Sequence, residues 1–262
     1  MQVSVTMITK NEEEGIRASL ESVQWASEII IVDSGSTDRT VEIAREFTGR
    51  VVHHEFSDFA SQKNFANSLV TTNWILNIDA DERVSPELAK EIQALPEEGP
   101  AGYSISRRNY FQGRWIRHCG WFPDFKLRLM RKGEGNWEGK VHETIHLSTA
   151  RPGELKGMID HFTYKNFDRY LASIHQFSRL AAIQLAEKGR SAGILDLIFR
   201  PPAIFLKKYL LQLGFLDGAP GFVISVMSAY GIFVRFCYLR EFTSGKLSPS
   251  GVSARIDESH PR

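Results

Sequence analysis

The sequence predicts an α/β protein, with a doubly wound, mostly parallel sheet flanked by helices and then a helical C-terminal extension. Three observations carry this. Short β-rich runs alternate with helical stretches through the first hundred residues. Two of these runs end in a carboxylate, Asp33 and Asp79, where the strands of such a sheet present their ligand edge. In the C-terminal third, long apolar stretches with basic punctuation replace the strands. A chain of 262 residues, 42% hydrophobic and 24% charged, suits one large domain with an extension and is too apolar for disorder. The expected divisions are 1–165 for the sheet domain, 166–245 for the helical extension and 246–262 for a loose tail.

Val3 to Thr9 is short and β-rich, so it predicts a strand. Asn11 is placed to cap a helix whose first turn holds Glu12, Glu13 and Glu14, and Ile16, Leu20 and Val23 then share a face. Glu28 to Asp33 is a nearly continuous apolar run, as expected of a parallel strand buried on both faces. Ser34-Gly35-Ser36 makes a turn, and Ser36 or Thr37 can cap the next helix. Arg50 to Phe56 predicts a third strand, Asp58 to Leu69 a third helix, and Trp74 to Asp79 a fourth strand. Ser85-Pro86-Glu87 opens another helix in cap-then-Pro order.

The net charge of +1 argues against a generic nucleic-acid binder, and no nucleic-acid partner is expected. The total hides an asymmetry. Residues 1–100 hold 8 Lys+Arg and 18 Asp+Glu, or −10; residues 101–262 hold 24 and 13, or +11. The acidic part suits a metal site and the basic part suits phosphates or an anionic membrane. Two distant cysteines, Cys119 and Cys237, read as reduced thiols of a reducing compartment. Strand-like sequence from Val3 predicts no secretory leader. The Gly-x-Gly-x-x-Gly dinucleotide turn and the Walker lysine motif are both missing.

Asp79-Ala80-Asp81-Glu82 closes the fourth strand. Carboxylates at i and i+2, where a chain turns, can converge on Mg²⁺ or Mn²⁺, which also bind diphosphate oxygens. Alone, such a pair is better read as a solvated acidic turn; Asp33 on a neighbouring strand end shifts the balance towards a site.

Thr9-Lys10-Asn11-Glu12, Val32-Asp33-Ser34-Gly35-Ser36-Thr37-Asp38 and Asn77-Ile78-Asp79-Ala80-Asp81-Glu82 together resemble, in order and spacing, a family 2 glycosyltransferase with the GT-A fold. Trp137-Glu-Gly-Lys-Val-His-Glu143, His161-Phe-Thr-Tyr164 and Gly214-Phe-Leu-Asp-Gly218 resemble one branch, the bacterial lipopolysaccharide-core β-1,4-glucosyltransferase type. The resemblance implies a nucleotide-sugar half at about 1–100 and an acceptor half at about 101–165. It places Thr9, Asn11 and Glu12 in the base pocket, Asp33 with the adjoining Ser34 and Gly35 at uracil or ribose, and Asp79 near ribose. Asp81 would bind the metal, with Asp79 beside it, and Lys63 would approach the diphosphate. The implied reaction moves a hexose, expected to be glucose, from a UDP-sugar to a lipid-linked saccharide at the cytoplasmic face of an inner membrane. Bland readings stand beside these: Lys63 as a solvated helix position, Thr9 and Asn11 as local turn and cap residues.

His142-Glu143-Thr144-Ile145-His146 matches His-Glu-x-x-His, but glycines precede it and Thr144-Ile145 favours strand, so a zinc peptidase is the rival rather than the leading enzyme. Glu143 is the expected general base of an inverting transferase and Asp124 the second candidate. For both, the structural alternative is a salt bridge to Arg128 or Arg131, residues that can also hold phosphates. His161 can complete a metal shell, a role a lone His seldom has. Trp115, Trp121 and Trp137 suit either sugar stacking or core. A non-catalytic nucleotide-sugar-binding protein is the non-enzyme alternative.

Tyr170 to Lys188 predicts a helix, and Ile194 to Tyr238 predicts apolar helices lying in a membrane surface. Between Arg190 and Lys246 stand 7 Lys+Arg and 3 Asp+Glu, or +4. The uncharged run from Gly218 to Val234 falls short of the roughly 20 residues of a span, with Pro220 and Gly221 breaking its start. A helical cap or dimer interface is the other reading.

Overall fold

The computed structural model describes residues 1–139, 143–148, 151–164 and 166–244. Two compact units emerge. One comprises Met1–Arg108 with Pro123–Phe162; the other comprises Asn109–Phe122 with the chain from Thr163 onward. Residues 109–122 thus group with the helices that follow Thr163.

In the first unit the strands are β1 (Val3–Thr9), β2 (Glu28–Asp33), β3 (Val51–His53), β4 (Trp74–Asp79) and β5 (Glu82–Val84), then β6 (Gly102–Phe111, ending in the second unit). The short β7 (Arg114–Trp115) pairs with the end of β6 inside the second unit. β8 (Asp124–Arg131), β9 (Gly135–Glu138), β10 (Thr144–Leu147) and β11 (Gly153–His161) complete the set. The main sheet runs β3-β2-β1-β4-β8-β6-β11-β5, and β9 and β10 form a separate ribbon. β3, β2, β1 and β4 are mutually parallel, whereas β8 joins β4 and β6 antiparallel. The sheet is therefore mixed, with its parallel part confined to the N-terminal half.

Register decides the edge that matters. Thr9 lies opposite Asp33, and Ile8 opposite Asp79. Parallel strands in register end together, so three polar strand ends meet at one edge. The β2 run is buried on both faces, as its continuous apolar sequence predicts: Ile31 joins the cluster of Val5, Leu20 and Leu88, while Ile30 and Val32 face Ala66 and Trp137.

The helices of this unit are α1 (Ile16–Glu21), α2 (Thr40–Arg45), α3 (Phe59–Ser68) and α4 (Pro86–Gln93). Asp58 caps α3 and Ser85 caps α4, each accepting a backbone N–H three residues on. Two expected caps are not made. α1 starts after Gly15 because Asn11 adopts a left-handed φ of 55° and turns its side chain to the Thr37 N–H, 2.8 Å away. α2 starts at Thr40, where Asp38 accepts the Thr40 N–H at 3.0 Å, because the Ser36 hydroxyl is spent on Asp33. β3 is shorter than the expected Arg50–Phe56; past it, the His54 carbonyl bonds the Gln62 side chain instead of a strand.

The second unit holds α5 (Phe167–Glu187), α6 (Ile194–Leu206) and α7 (Ala219–Thr243). α5 and α7 share a core of Ala182, Ile183, Phe236 and Leu239. α7 is 25 residues long, long and apolar enough to cross a membrane by length and composition only; 28% of its most apolar stretch is buried, so much of it lacks protein cover. Contrary to the expectation from the sequence, Pro220 does not break this helix, because it occupies the first turn, where a missing N–H costs nothing. The motif Gly214 to Gly218 is a bracket. Buried Asp217 accepts the His118 N–H at 2.8 Å, the Arg117 N–H at 3.3 Å and the His118 ring Nδ1–H at 3.0 Å. A Cβ on Gly221 would stand 2.0 Å from the Gly214 carbonyl oxygen, so glycine is required there. Asp217→Ala should therefore destabilise the protein by about 1–3 kcal/mol per orphaned donor, read as a lowered Tm, while Asp217→Asn, which keeps an acceptor, should lose less.

Candidate active site

The site is built from the C-terminal ends of β1, β2 and β4. After β2, Gly35 takes a φ of 84°, which lets the Gly35 and Ser36 N–H groups both donate to Asp33 Oδ2 at 2.9 Å. Ser36 Oγ donates to Asp33 Oδ1 at 2.5 Å, so Asp33 is buried and its carboxylate shapes the turn. Asn11 N–H donates to Ser36 Oγ, and Glu12 N–H to Thr40 Oγ1, which ties the β1 loop to the β2 loop. The Ser34 hydroxyl accepts from Gln62 Nε2 at 2.8 Å. Thr9 is buried, and its hydroxyl finds no hydrogen-bond partner among the described residues. A buried polar atom left in this way at a strand end is what an incoming ligand would satisfy.

A charge network adjoins this edge. Buried Lys63 places Nζ 3.0 Å from Asp79 Oδ1 and 3.1 Å from Glu143 Oε1, and 4.3 Å from the centre of the Trp137 ring. Arg128 Nη2 lies 2.7 Å from Asp79 Oδ2 and 2.6 Å from Glu82 Oε1. Arg107 bridges Glu82 and Asp124, at 3.1 and 2.6 Å. Glu82 is fully buried, and its second oxygen accepts the Asp79 N–H at 2.9 Å. Burial would raise the Asp79 pKa, but Arg128 and then Lys63 outweigh it and hold the carboxyl well below the usual range. Burial likewise opposes the charge on Arg128, and Asp79 and Glu82 keep it protonated. With Lys126 placed 3.3 Å from Asp124, four cations face four carboxylates among the described residues, so the network is balanced in charge.

Asp81 and His161 form a separate pair, with Oδ2 and Nε2 3.3 Å apart, and the Phe162 N–H holds the Asp81 carbonyl at 3.0 Å. One carboxylate oxygen and one imidazole suit a divalent cation that takes its other ligands from water and a diphosphate. Among the described residues no three His, Cys, Asp or Glu side chains converge as a protein-only metal cluster. Asp79, the other expected metal ligand, has its oxygens on Lys63 and Arg128.

Of the expected site residues, the fold gathers Thr9, Asn11, Glu12, Asp33, Ser34 and Gly35 in one loop cluster, and Lys63, Asp79 and Glu143 in one ion network. Asp124 reaches that network through Arg107. The salt bridge foreseen for Glu143 is made to Lys63, not to Arg128 or Arg131. His146 lies on strand β10, so Glu143 and His146 do not share a helical face; His142 lies outside the described residues. Trp137 is buried against Lys63. Sequence reasoning missed Glu82, Arg107 and Gln62. Glu82 stood inside the quoted acidic motif, and Gln62 sits next to Lys63, but only folding shows which partners each one meets.

An α/β edge of in-register strand ends, with acidic side chains and a second carboxylate held close by, is the arrangement expected of a sugar-nucleotide transferase. The chain belongs to glycosyl transferase family 2, whose sequence model matches residues 4–150. It is 32% identical over 261 residues to the lipopolysaccharide core biosynthesis glycosyltransferase LpsC of Rhizobium meliloti, covering 90% of this chain and 93% of that one. It is 28% identical to an uncharacterized glycosyltransferase of Rickettsia typhi, covering 92% and 88%. A solved structure of S. aureus TarS with UDP-GlcNAc is similar at 14% identity and a TM-score of 0.48, covering 94% and 92%.

Proposed function

We propose that this glycosyltransferase transfers a hexose, with glucose favoured, from a UDP-sugar to a lipid-linked saccharide, with inversion at the anomeric carbon. The likeness to LpsC supports lipopolysaccharide core as the acceptor. The observation that carries the mechanism is the buried Lys63 ammonium shared between Asp79 at the strand end and Glu143. It puts a carboxylate one cation away from the edge where a diphosphate would lie.

In this reading Thr9, Asn11, Glu12 and the Asp33–Gly35 turn bind the nucleoside, and the Thr9 hydroxyl gains the partner it lacks. Asp81 and His161 would hold Mn²⁺ or Mg²⁺, which when bound neutralises charge on the departing diphosphate. Lys63 faces the same diphosphate and, drawn towards it, loosens its hold on Glu143. Glu143 then takes the proton of the acceptor hydroxyl as that oxygen bonds to the anomeric carbon and the sugar–diphosphate bond breaks. Asp124, fixed by Arg107, is the alternative base. Residues 194–238 hold the protein peripherally at the cytoplasmic face of the membrane, supported by exposed Leu195, Phe199, Leu211 and Phe222.

The test is a panel of UDP-sugars with manganese, magnesium or EDTA, paired with calorimetric titration of Mn²⁺ in the presence of UDP. EDTA should abolish transfer, and Asp81→Ala should weaken Mn²⁺ binding at least tenfold, more than Asp79→Ala. Full activity in EDTA would remove the metal from the mechanism.

A further inference from the structure

A cavity of about 420 Å³ in the second unit lies outside the active-site residues, between the end of α5, the loop that follows it, α6 and α7. Its wall carries four cations, Arg190, Arg200, Lys207 and Arg235, and a single acid, Asp196. That acid is already engaged: it accepts the Gly193 N–H at 2.9 Å, capping α6, and pairs with Arg200 at 2.5 Å. Arg235 projects from α7, its Nε is buried without a hydrogen-bond partner, and it makes no ion pair among the described residues. A guanidinium desolvated in this way is costly unless an anion meets it. Apart from Ser191, the rest of the lining is apolar, including Ile204 and Phe236.

α6 has two unlike faces. Asp196, Arg200, Ala203 and Ile204 recur at helical spacing and line the cavity. Leu195, Ile198, Phe199 and Leu206 lie on the other side and are each at least half exposed. A helix with an apolar face of this kind rests in the acyl boundary of a bilayer, which sets the cations beside it at headgroup depth.

We propose that this cavity binds the phosphate of an anionic membrane lipid, with Arg235, Lys207, Arg190 and Arg200 around the phosphate and Ile204 and Phe236 against the glycerol and first acyl carbons. The excess of cations supplies the charge complementarity, and the apolar lining selects a lipid over a soluble phosphate. The inference rests on the peripheral-membrane reading of residues 194–238. Burial pulls the Arg235 pKa below its ordinary value, an effect that a bound phosphate would oppose.

The experiment is sedimentation of the full chain with vesicles of phosphatidylcholine alone or with added phosphatidylglycerol. Arg235→Gln and Lys207→Gln should each lower the partition onto anionic vesicles about fivefold, while thermal melting and binding to neutral vesicles stay unchanged. Arg169→Gln, at the start of α5 and some 24 Å along that helix from Leu185, should change it less than about twofold. An equal loss in Arg169→Gln would mean diffuse surface attraction and would overturn the site. Competition by soluble glycerol 3-phosphate at comparable affinity would overturn the lipid in favour of a free phosphate. If wild type binds both vesicles and the cavity variants match it, the cavity proposal fails alone. If wild type binds neither, the membrane reading fails with it, and loss of all vesicle binding in Leu195→Ser/Phe199→Ser separately checks that reading.

Discussion

Glu143→Gln should fold and bind UDP as wild type does while its turnover falls by roughly a hundred- to ten-thousand-fold, the contribution of a positioned general base. The reason is geometric. Glu143 Oε1 accepts from Lys63 Nζ at 3.1 Å, and a glutamine carbonyl can accept the same bond, so the packing of Lys63 against Trp137 survives. What the amide lacks is the capacity to take the acceptor's proton. The loss should appear in kcat with little change in KM, because only the transition state feels it. Asp124→Asn is the counterpart. Asp124 pairs with Arg107 through two hydrogen bonds of 2.8 and 2.6 Å and with Lys126 at 3.3 Å. If turnover collapses in Asp124→Asn and persists in Glu143→Gln, the base is Asp124. If UDP binding disappears in Glu143→Gln, the residue is a donor contact and the proposed mechanism is wrong at its centre.

Glu82→Ala should be the most destabilising single change in the first unit. The side chain is fully buried and serves three donors, Arg107, Arg128 and the Asp79 N–H. Its removal leaves Arg128, itself only 3% exposed, with half its charge compensation. Breaking a buried ion pair from one side costs about 3–5 kcal/mol, because the remaining charge stays desolvated. For a protein of this size each kcal/mol moves Tm by about 2–4 °C, so a drop of about 6–20 °C is expected in a calorimetric melt. Glu82→Gln, which keeps the shape and one acceptor oxygen but loses the charge and sets an NH2 group against a donor, should fall between. A melt within about 1 °C of wild type would show that Arg128 finds other compensation.

The local rules of the sequence were enough for much of the frame. Asp58 and Ser85 cap helices as their positions imply, and the Glu28–Asp33 run is buried on both faces as its apolar continuity requires. The acidic strand ends were legible for the same reason: a parallel sheet in register brings strand termini to one edge whatever its loops do. The misread caps have a shared cause. Asn11 and Ser36 have side chains able to cap a helix, but each found a partner across the β1–β2 edge, a non-local contact that spacing along the chain does not encode.

By itself, then, the sequence offered the candidates: strand-end carboxylates Asp33, Asp79 and Asp81, a carboxylate at Glu143, and apolar helices with basic punctuation. Periodicity, turn chemistry and charge act over a few residues and can be read in one dimension. The tertiary structure alone decided their partners. It set Lys63 between Asp79 and Glu143, the latter 80 residues further along the chain. It buried Arg128 between Asp79 and Glu82 and took Asp79 into an ion network, leaving Asp81 beside His161. Whether a carboxylate serves as ligand, base or counter-ion depends on the charges within about 4 Å and on how far water is excluded, and both are properties of the packed chain.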